Sequence, residues 1–242
     1  MAAIFGERKQ GLSAAISRRW IACRSKTNRK LVLMKRRGFI SIGIALLAVA
    51  ACGKKPKLNT LPAGSRVLTF GDSVTFGTGA GPGEDWPTLL GGLTGWKVMN
   101  AGIPGDTAEA GKSRIRGLLD EHTPALVIIE IGGNDFLRRR PASAVKQDIK
   151  FLISAAKGAG AQVVLIGVPE LSVLAVVAGK PGAAPLYQEL GKEEGVPVIA
   201  NVFSDILARP ELCADKIHPN AQGYRQMASG IHAGLKSVGL AR

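Results

Sequence analysis

The chain is 242 residues long and holds only three cysteines and three histidines; aromatic residues make up 5% of it. Cys23, Cys52 and Cys213 are too few and too scattered for a disulfide framework. No cluster of His, Cys and Asp shows ligand spacing, which argues against a metal centre. The apolar run Gly38–Ala51 has 14 residues, short of the ~20 that a membrane-crossing helix needs. There is no internal repeat. Acidic residues are also scarce, 18 against 32 Lys and Arg, for a net charge of +14.

That charge first suggests a nucleic-acid partner, but its distribution argues otherwise. Residues 1–51 hold eleven Lys/Arg and one acid, Glu7, so residues 52–242 carry only +4. The basic excess belongs to the leader, and nucleic-acid binding loses its main support. "MKRRGFISIGIALLAVAACG" (34–53) has a basic start, a short apolar centre and small residues at its end. These are the parts of a secretory signal. Val49-Ala50-Ala51-Cys52 resembles a bacterial lipobox, in which the cysteine is lipidated and becomes the new N-terminus. Arg36-Arg37-Gly38-Phe39-Ile40 also resembles a twin-arginine export motif. The expected organisation is an upstream extension (1–33), a lipoprotein signal (34–51), lipidated Cys52 with a polar tether to residue 64, and one domain over 65–242. The partner expected from this leader is a membrane, through that anchor. The expected location is periplasm-facing, with Gly53 favouring an outer membrane.

From Ser65 onward, apolar runs alternate with helical stretches. Strands are expected at Arg66–Phe70, Trp96–Asn100, Ala125–Ile131, Gln162–Val168 and Val196–Ala200. Helices are expected at Asp85–Leu93, Ala108–His122, Ala142–Ala159, Ala183–Gly195 and Ala221–Val238. Runs such as "ALVIIEI" and "QVVLIGV" scarcely alternate, as in strands buried on both faces. The fold class is therefore α/β: a three-layer α/β/α sandwich around a five-stranded parallel sheet.

Ligands of such folds bind outside the carboxyl ends of the strands. Four polar, glycine-bearing segments fall there: "FGDSVTFG", "AGIPGDT", "GGNDF" and "DKIHPN". Ser73 needs a base to act as nucleophile, and that base needs an orienting group. Asp215 lies three residues before His218 on a short loop, close enough for a carboxylate oxygen to reach Nδ1 and leave Nε2 free. An aspartate capping the last helix beside an unrelated histidine is an equally good reading of the same four residues. His122 reads as a helix-end residue and His232 as a surface or packing residue. The Ser73 and Gly105 N–H groups and the Asn134 side-chain amide can supply oxyanion donors; taken singly, Gly105 reads first as a turn glycine and Asn134 as a turn asparagine. The glycines after the first strand do not form G-x-G-x-x-G, so a dinucleotide site is not indicated, and no cofactor is.

In order and spacing, "FGDSVTFG", "NAGIPGDT", "IEIGGND" and "DKIHPNAQGY" resemble the blocks that mark the SGNH/GDSL hydrolases, over about Arg66 to Met227. "NAGIPGDTAEAGKSRIRGLL" and "GGNDFLRRRP" are most similar to the bacterial arylesterase and acyl-CoA thioesterase/lysophospholipase branch. The resemblance implies Ser73 as nucleophile, Gly105 and Asn134 as oxyanion donors, and Asp215 with His218 completing the triad. It implies a flavodoxin-like fold and a cofactor-independent serine esterase or thioesterase working through an acyl-enzyme on a small acyl ester or thioester substrate. An O-acetyl esterase of cell-wall or polysaccharide, and a catalytically silent lipid-anchored binding protein, are the alternatives. Val74 stands where the family's name has leucine, and Thr75 excludes the G-x-S-x-G elbow of α/β-hydrolases. In "PELSVLAVVAGKPGAAPLY" (169–187), Leu171, Val173, Leu174, Val176 and Val177 are candidates for an acyl or aryl pocket, or equally for core packing. Arg138, Arg139 and Arg140 read as a solvated helix start rather than as recognition of an anionic substrate.

Overall fold

The computed structural model describes residues 58–170 and 182–242. Cys52, the signal and extension (1–51), most of the tether, and Leu171, Val173, Leu174, Val176 and Val177 lie outside the described residues.

Five strands form one parallel sheet: β1 (Arg66–Gly71), β2 (Lys97–Gly102), β3 (Leu126–Glu130), β4 (Gln162–Ile166) and β5 (Val198–Ile199). Their order is β2-β1-β3-β4-β5, the flavodoxin-like order. β3 is buried along its whole length, and β4 at every position but its first. This is what a sheet covered on both faces requires. The chain passes leftward from β1 to β2 and then moves steadily right, so it reverses direction between β1 and β3. A crevice opens at such a switch point, beyond the carboxyl ends of the strands.

The covering helices form two layers. Helices α2 (Trp86–Thr94) and α8 (Ala221–Ser237) pack together. Helices α3 (Ala108–His122), α5 (Ala142–Gly158) and α6 (Pro185–Glu194) pack in series, α3 on α5 and α5 on α6. Capping defines their starts. Asp85 accepts from the Thr88 N–H at 2.9 Å and Asn220 from the Gly223 N–H at 3.0 Å, satisfying first-turn donors that have no partner within the helix. The core runs from Val67, Leu68 and Phe70 through Ile128 and Ile129 to Val164 and Leu165, all at most 1% exposed.

The five strands and five long helices stand where the sequence pattern indicates, with shifted ends. β5 contracts to two residues, Val198–Ile199. Three short helices escape periodicity because each is under two turns: α1 (Ser73–Phe76), α4 (Gly133–Leu137) and α7 (Val202–Leu207). One expectation is corrected. Arg138, Arg139 and Arg140 do not begin a helix: α4 ends at Leu137 and α5 starts at Ala142, after Pro141. Nor is Arg140 a solvated charge, since it pairs with Asp135 and with Asp148 between the two helices.

Candidate active site

Ser73 opens α1 immediately beyond the end of β1. Asp72 caps this helix, its Oδ1 accepting from the Val74 N–H at 3.1 Å. The Thr75 hydroxyl donates to Glu130 Oε2 at 2.7 Å, and the Phe76 N–H bonds back to the Asp72 carbonyl at 2.9 Å. Ser73 holds the first helical position, whose N–H has no acceptor within a helix. Both carboxylates beneath this turn are buried. Burial pushes the Asp72 pKa up to about 6, against the lowering effects of the Val74 N–H, His218 and Asn134. Burial, reinforced by the neighbouring Asp72 charge, holds Glu130 well above the ordinary carboxylate range. Its Oε1 has no hydrogen-bond partner among the described residues.

The acid and the base ride on one closed loop. Cys213 pairs with Pro219 in an antiparallel bridge, and the Ala214 N–H donates to the His218 carbonyl at 2.9 Å. Within that loop, Asp215 Oδ1 accepts from the N–H groups of Ile217 and His218, both at 2.8 Å. Its Oδ2 lies 2.7 Å from His218 Nδ1. Burial raises the Asp215 pKa, but the His218 bond and the two backbone donors outweigh it, and the net shift is downward. With Nδ1–H donating to Asp215, His218 Nε2 accepts from the Ser73 hydroxyl, 2.9 Å away. The loop is seated against the turn after Ser73. A Cβ on Gly79 would strike the Pro219 carbonyl and Ala214, and Tyr224 donates its hydroxyl to the Thr78 carbonyl at 2.8 Å.

The segment after β2 turns at Gly105, whose φ of +80° lies in the left-handed region that glycine adopts without strain. Asn134, on α4 beyond β3, bridges the first two segments. Its Nδ2 donates to the Asp106 carbonyl at 3.0 Å and to Asp72 Oδ2 at 3.3 Å. Arg138 donates to the Gly105 carbonyl at 3.0 Å, and the buried Asp135 accepts from the Ala108 N–H at 2.9 Å. Thus α4 and its C-cap Arg138 hold the Gly105 loop and the start of α3 through three bonds. Its own start is fixed by Gly132 at φ +125°, where a side chain would collide with the Tyr187 hydroxyl.

Ser73, Asp215, His218, Gly105 and Asn134 are therefore gathered at one edge of the sheet. Ser73, Asn134 and His218 line a cleft with Val168, Leu137, Phe203 and Ile217. His122 and His232 take no part in it: His122 lies in the last turn of α3, and His232 lies on α8. Among the described residues no group of three or more His, Cys, Asp and Glu could hold a metal ion. Sequence reasoning passed over Asp72 and Glu130. A lone acid inside the apolar run "LVIIE" was the available signal, because an acid buried within a strand is rare without a task.

A family model described as GDSL-like lipase/acylhydrolase matches residues 69–226. The Escherichia coli thioesterase 1/protease 1/lysophospholipase L1 is 31% identical over 163 residues, 65% of this chain and 77% of that protein. An arylesterase of Vibrio mimicus is 31% identical over 180 residues, 70% of this chain and 87% of its own. The crystal structure of TesA superposes with a TM-score of 0.65 at 27% identity, over 72% of this chain and 99% of TesA.

Proposed function

The chain belongs to the GDSL-like lipase/acylhydrolase family and is an ester-hydrolysing serine hydrolase, and from that premise we propose that Ser73, His218 and Asp215 are its catalytic triad. The observation that carries the assignment is the unbroken relay from Asp215 Oδ2 through His218 to Ser73 Oγ, with links of 2.7 and 2.9 Å. His218 Nε2 takes the hydroxyl proton as Ser73 Oγ attacks the acyl carbonyl. Asp215 keeps Nδ1 protonated and stabilises the imidazolium that forms. The negative charge that develops on the carbonyl oxygen is received by the N–H groups of Ser73 and Gly105 and by the Asn134 amide, which gives up its longer bond to Asp72 Oδ2, 3.3 Å, to do so. His218 then protonates the leaving alcohol or thiol. A water that gives its proton to the same nitrogen attacks the acyl-enzyme, and the acid departs as Ser73 regains its proton. No cofactor enters these steps.

Leu137, Val168, Phe203 and Ile217 make the cleft wall apolar beside Ser73, which suits an acyl chain or an aryl ring. The relatives' names cover aryl esters, thioesters and lysophospholipids, and this chain acts on small esters or thioesters of that range. A fluorophosphonate probe tests the assignment directly: phosphonylation located by mass spectrometry on Ser73 supports it, and labelling of any other residue contradicts it.

The order of basic region, apolar run and Cys52 supports a lipoprotein held on the envelope of a bacterium by a lipidated Cys52. A mature N-terminus that begins with a diacylated Cys52 is the expected finding. An unprocessed, unlipidated chain in the soluble fraction is the contrary one.

A further inference from the structure

Arg114 lies on α3, outside the cleft wall and away from the reacting atoms, yet every arm of its guanidinium is committed. Nε donates to Asp106 Oδ2 at 2.8 Å, and Nη2 approaches the same oxygen at 2.7 Å. Nη1 donates to the Ala101 carbonyl at 2.8 Å and Nη2 to the Gly71 carbonyl at 2.9 Å. The planar group also lies over the Phe70 ring, 3.9 Å from its centroid. These acceptors are not scattered. Gly71 is the last residue of β1, directly before Asp72 and two residues before Ser73. Ala101 ends β2 with Gly102, just before the Gly105 loop, and Asp106 lies within that loop.

One side chain therefore ties the strand end that carries the nucleophile to the loop that carries Gly105. The linkage continues through the backbone of Asp106, whose carbonyl receives Asn134 Nδ2 at 3.0 Å. Both partners are shielded, with 18% of the Arg114 side chain and 9% of the Asp106 side chain exposed. Only arginine has a fork rigid enough to reach a carboxylate and two carbonyls at once; a lysine is a flexible point charge with no such fixed geometry.

We propose that Arg114, through its Asp106 ion pair, is a positioning residue of the oxyanion hole, setting the separation between Ser73 and the Gly105 and Asn134 donors. This rests on the reading of those three residues given above. Arg114 touches no substrate. Its effect is felt where donors must meet charge that exists only in the transition state.

The test is a kinetic cycle on the full chain with p-nitrophenyl acetate. A misplacement of about 1 Å costs up to about 100-fold in rate, so Arg114→Lys should lower kcat by about 10- to 100-fold while KM stays within about twofold. Affinity for a trifluoromethyl ketone, which mimics the tetrahedral oxyanion, should fall in parallel with kcat/KM. In an Asn134→Ala background the same substitution should cost less than in wild type, because one of the two donors it positions is already gone and only Gly105 remains to be displaced. Asp106→Asn preserves shape, breaks only the ion pair, and should reproduce the pattern in weaker form; it decides the matter if Arg114→Lys does not fold. A folded Arg114→Lys enzyme with unchanged kcat would overturn the inference. So would a loss of the same size in both backgrounds. Wild-type kcat in Asn134→Ala alone would instead overturn the oxyanion assignment, and the inference with it.

Discussion

The Thr75 hydroxyl donates to Glu130 Oε2 at 2.7 Å across a space that exists because residue 71 has no side chain. A Cβ on Gly71 would collide with both the Thr75 hydroxyl and the Glu130 carbonyl. The contact lies directly beneath α1, so it bears on where Ser73 stands. Gly71→Ala should therefore push α1 away from β3. Overpacking of this kind costs about 1–3 kcal/mol, and the activity loss should exceed what the lost stability explains. Urea melts and kcat of the same preparation check this. An unaltered melt with unaltered kcat contradicts the tight fit.

The two buried acids under that turn give stability an unusual dependence on pH. Asp72 has a folded-state pKa of about 6 against an ordinary value of 3.8. The folded chain thus holds this proton more tightly than the unfolded chain does. Stability is fullest below the unfolded pKa and declines as pH rises through the folded one. The shift corresponds to about 3 kcal/mol between roughly pH 4 and 6, and Glu130, also displaced upward, adds in the same direction at higher pH. Asp72→Asn should remove the Asp72 share, so that its stability gains on wild type as pH rises over that window. Unfolding free energies at four pH values would show it; parallel curves for the two proteins would contradict it.

Asp215 makes the opposite contribution, because its pKa is depressed: what stability it adds is present at neutral pH and disappears on acidification. Its larger role is with His218. In Asp215→Asn, Oδ1 can still accept from Ile217 and His218, but an amide then faces Nδ1 and favours the wrong tautomer. A loss of about 10⁴-fold in kcat is expected by analogy with other triads, with little change in KM. Steady-state kinetics decide it, and a loss under tenfold contradicts the relay.

Removing the Asn134 amide should cost about 10²- to 10³-fold in kcat, the usual toll for one oxyanion donor. Asn134→Ala also breaks the bridge between Asp72 and Asp106, so its effect on melting should be measured beside its effect on rate. A melting change with no loss of rate would make Asn134 a structural tie alone.

The sheet and the reactive segments were legible in the sequence for separate physical reasons. Strands buried on both faces leave apolar runs such as "LVIIE", and the candidate site residues on strand-end turns leave polar, glycine-bearing blocks at the same places in the order. Arg114 left no such mark. It stands two residues from Arg116 on the same helix, yet Arg116 lies near the Phe151 ring while Arg114 holds three acceptors. Local spacing cannot separate two such arginines, because their partners come from strands and loops distant in the chain. Arg140 was hidden for another reason: its partners are near in the chain but lie on the two helices either side of its turn. Its partner Asp148 lies eight residues on, across the turn into α5. The four-residue α1 and five-residue α4 are too short to express a period, although each carries a residue of the site.

The Ser73 hydroxyl as nucleophile is put to the test by comparing p-nitrophenyl acetate hydrolysis by wild type and by Ser73→Ala, each with its melting curve. The variant should hydrolyse the ester at least about 10⁴-fold more slowly, with the melting curves superimposed. A folded Ser73→Ala protein that hydrolyses the ester at the wild-type rate would contradict it.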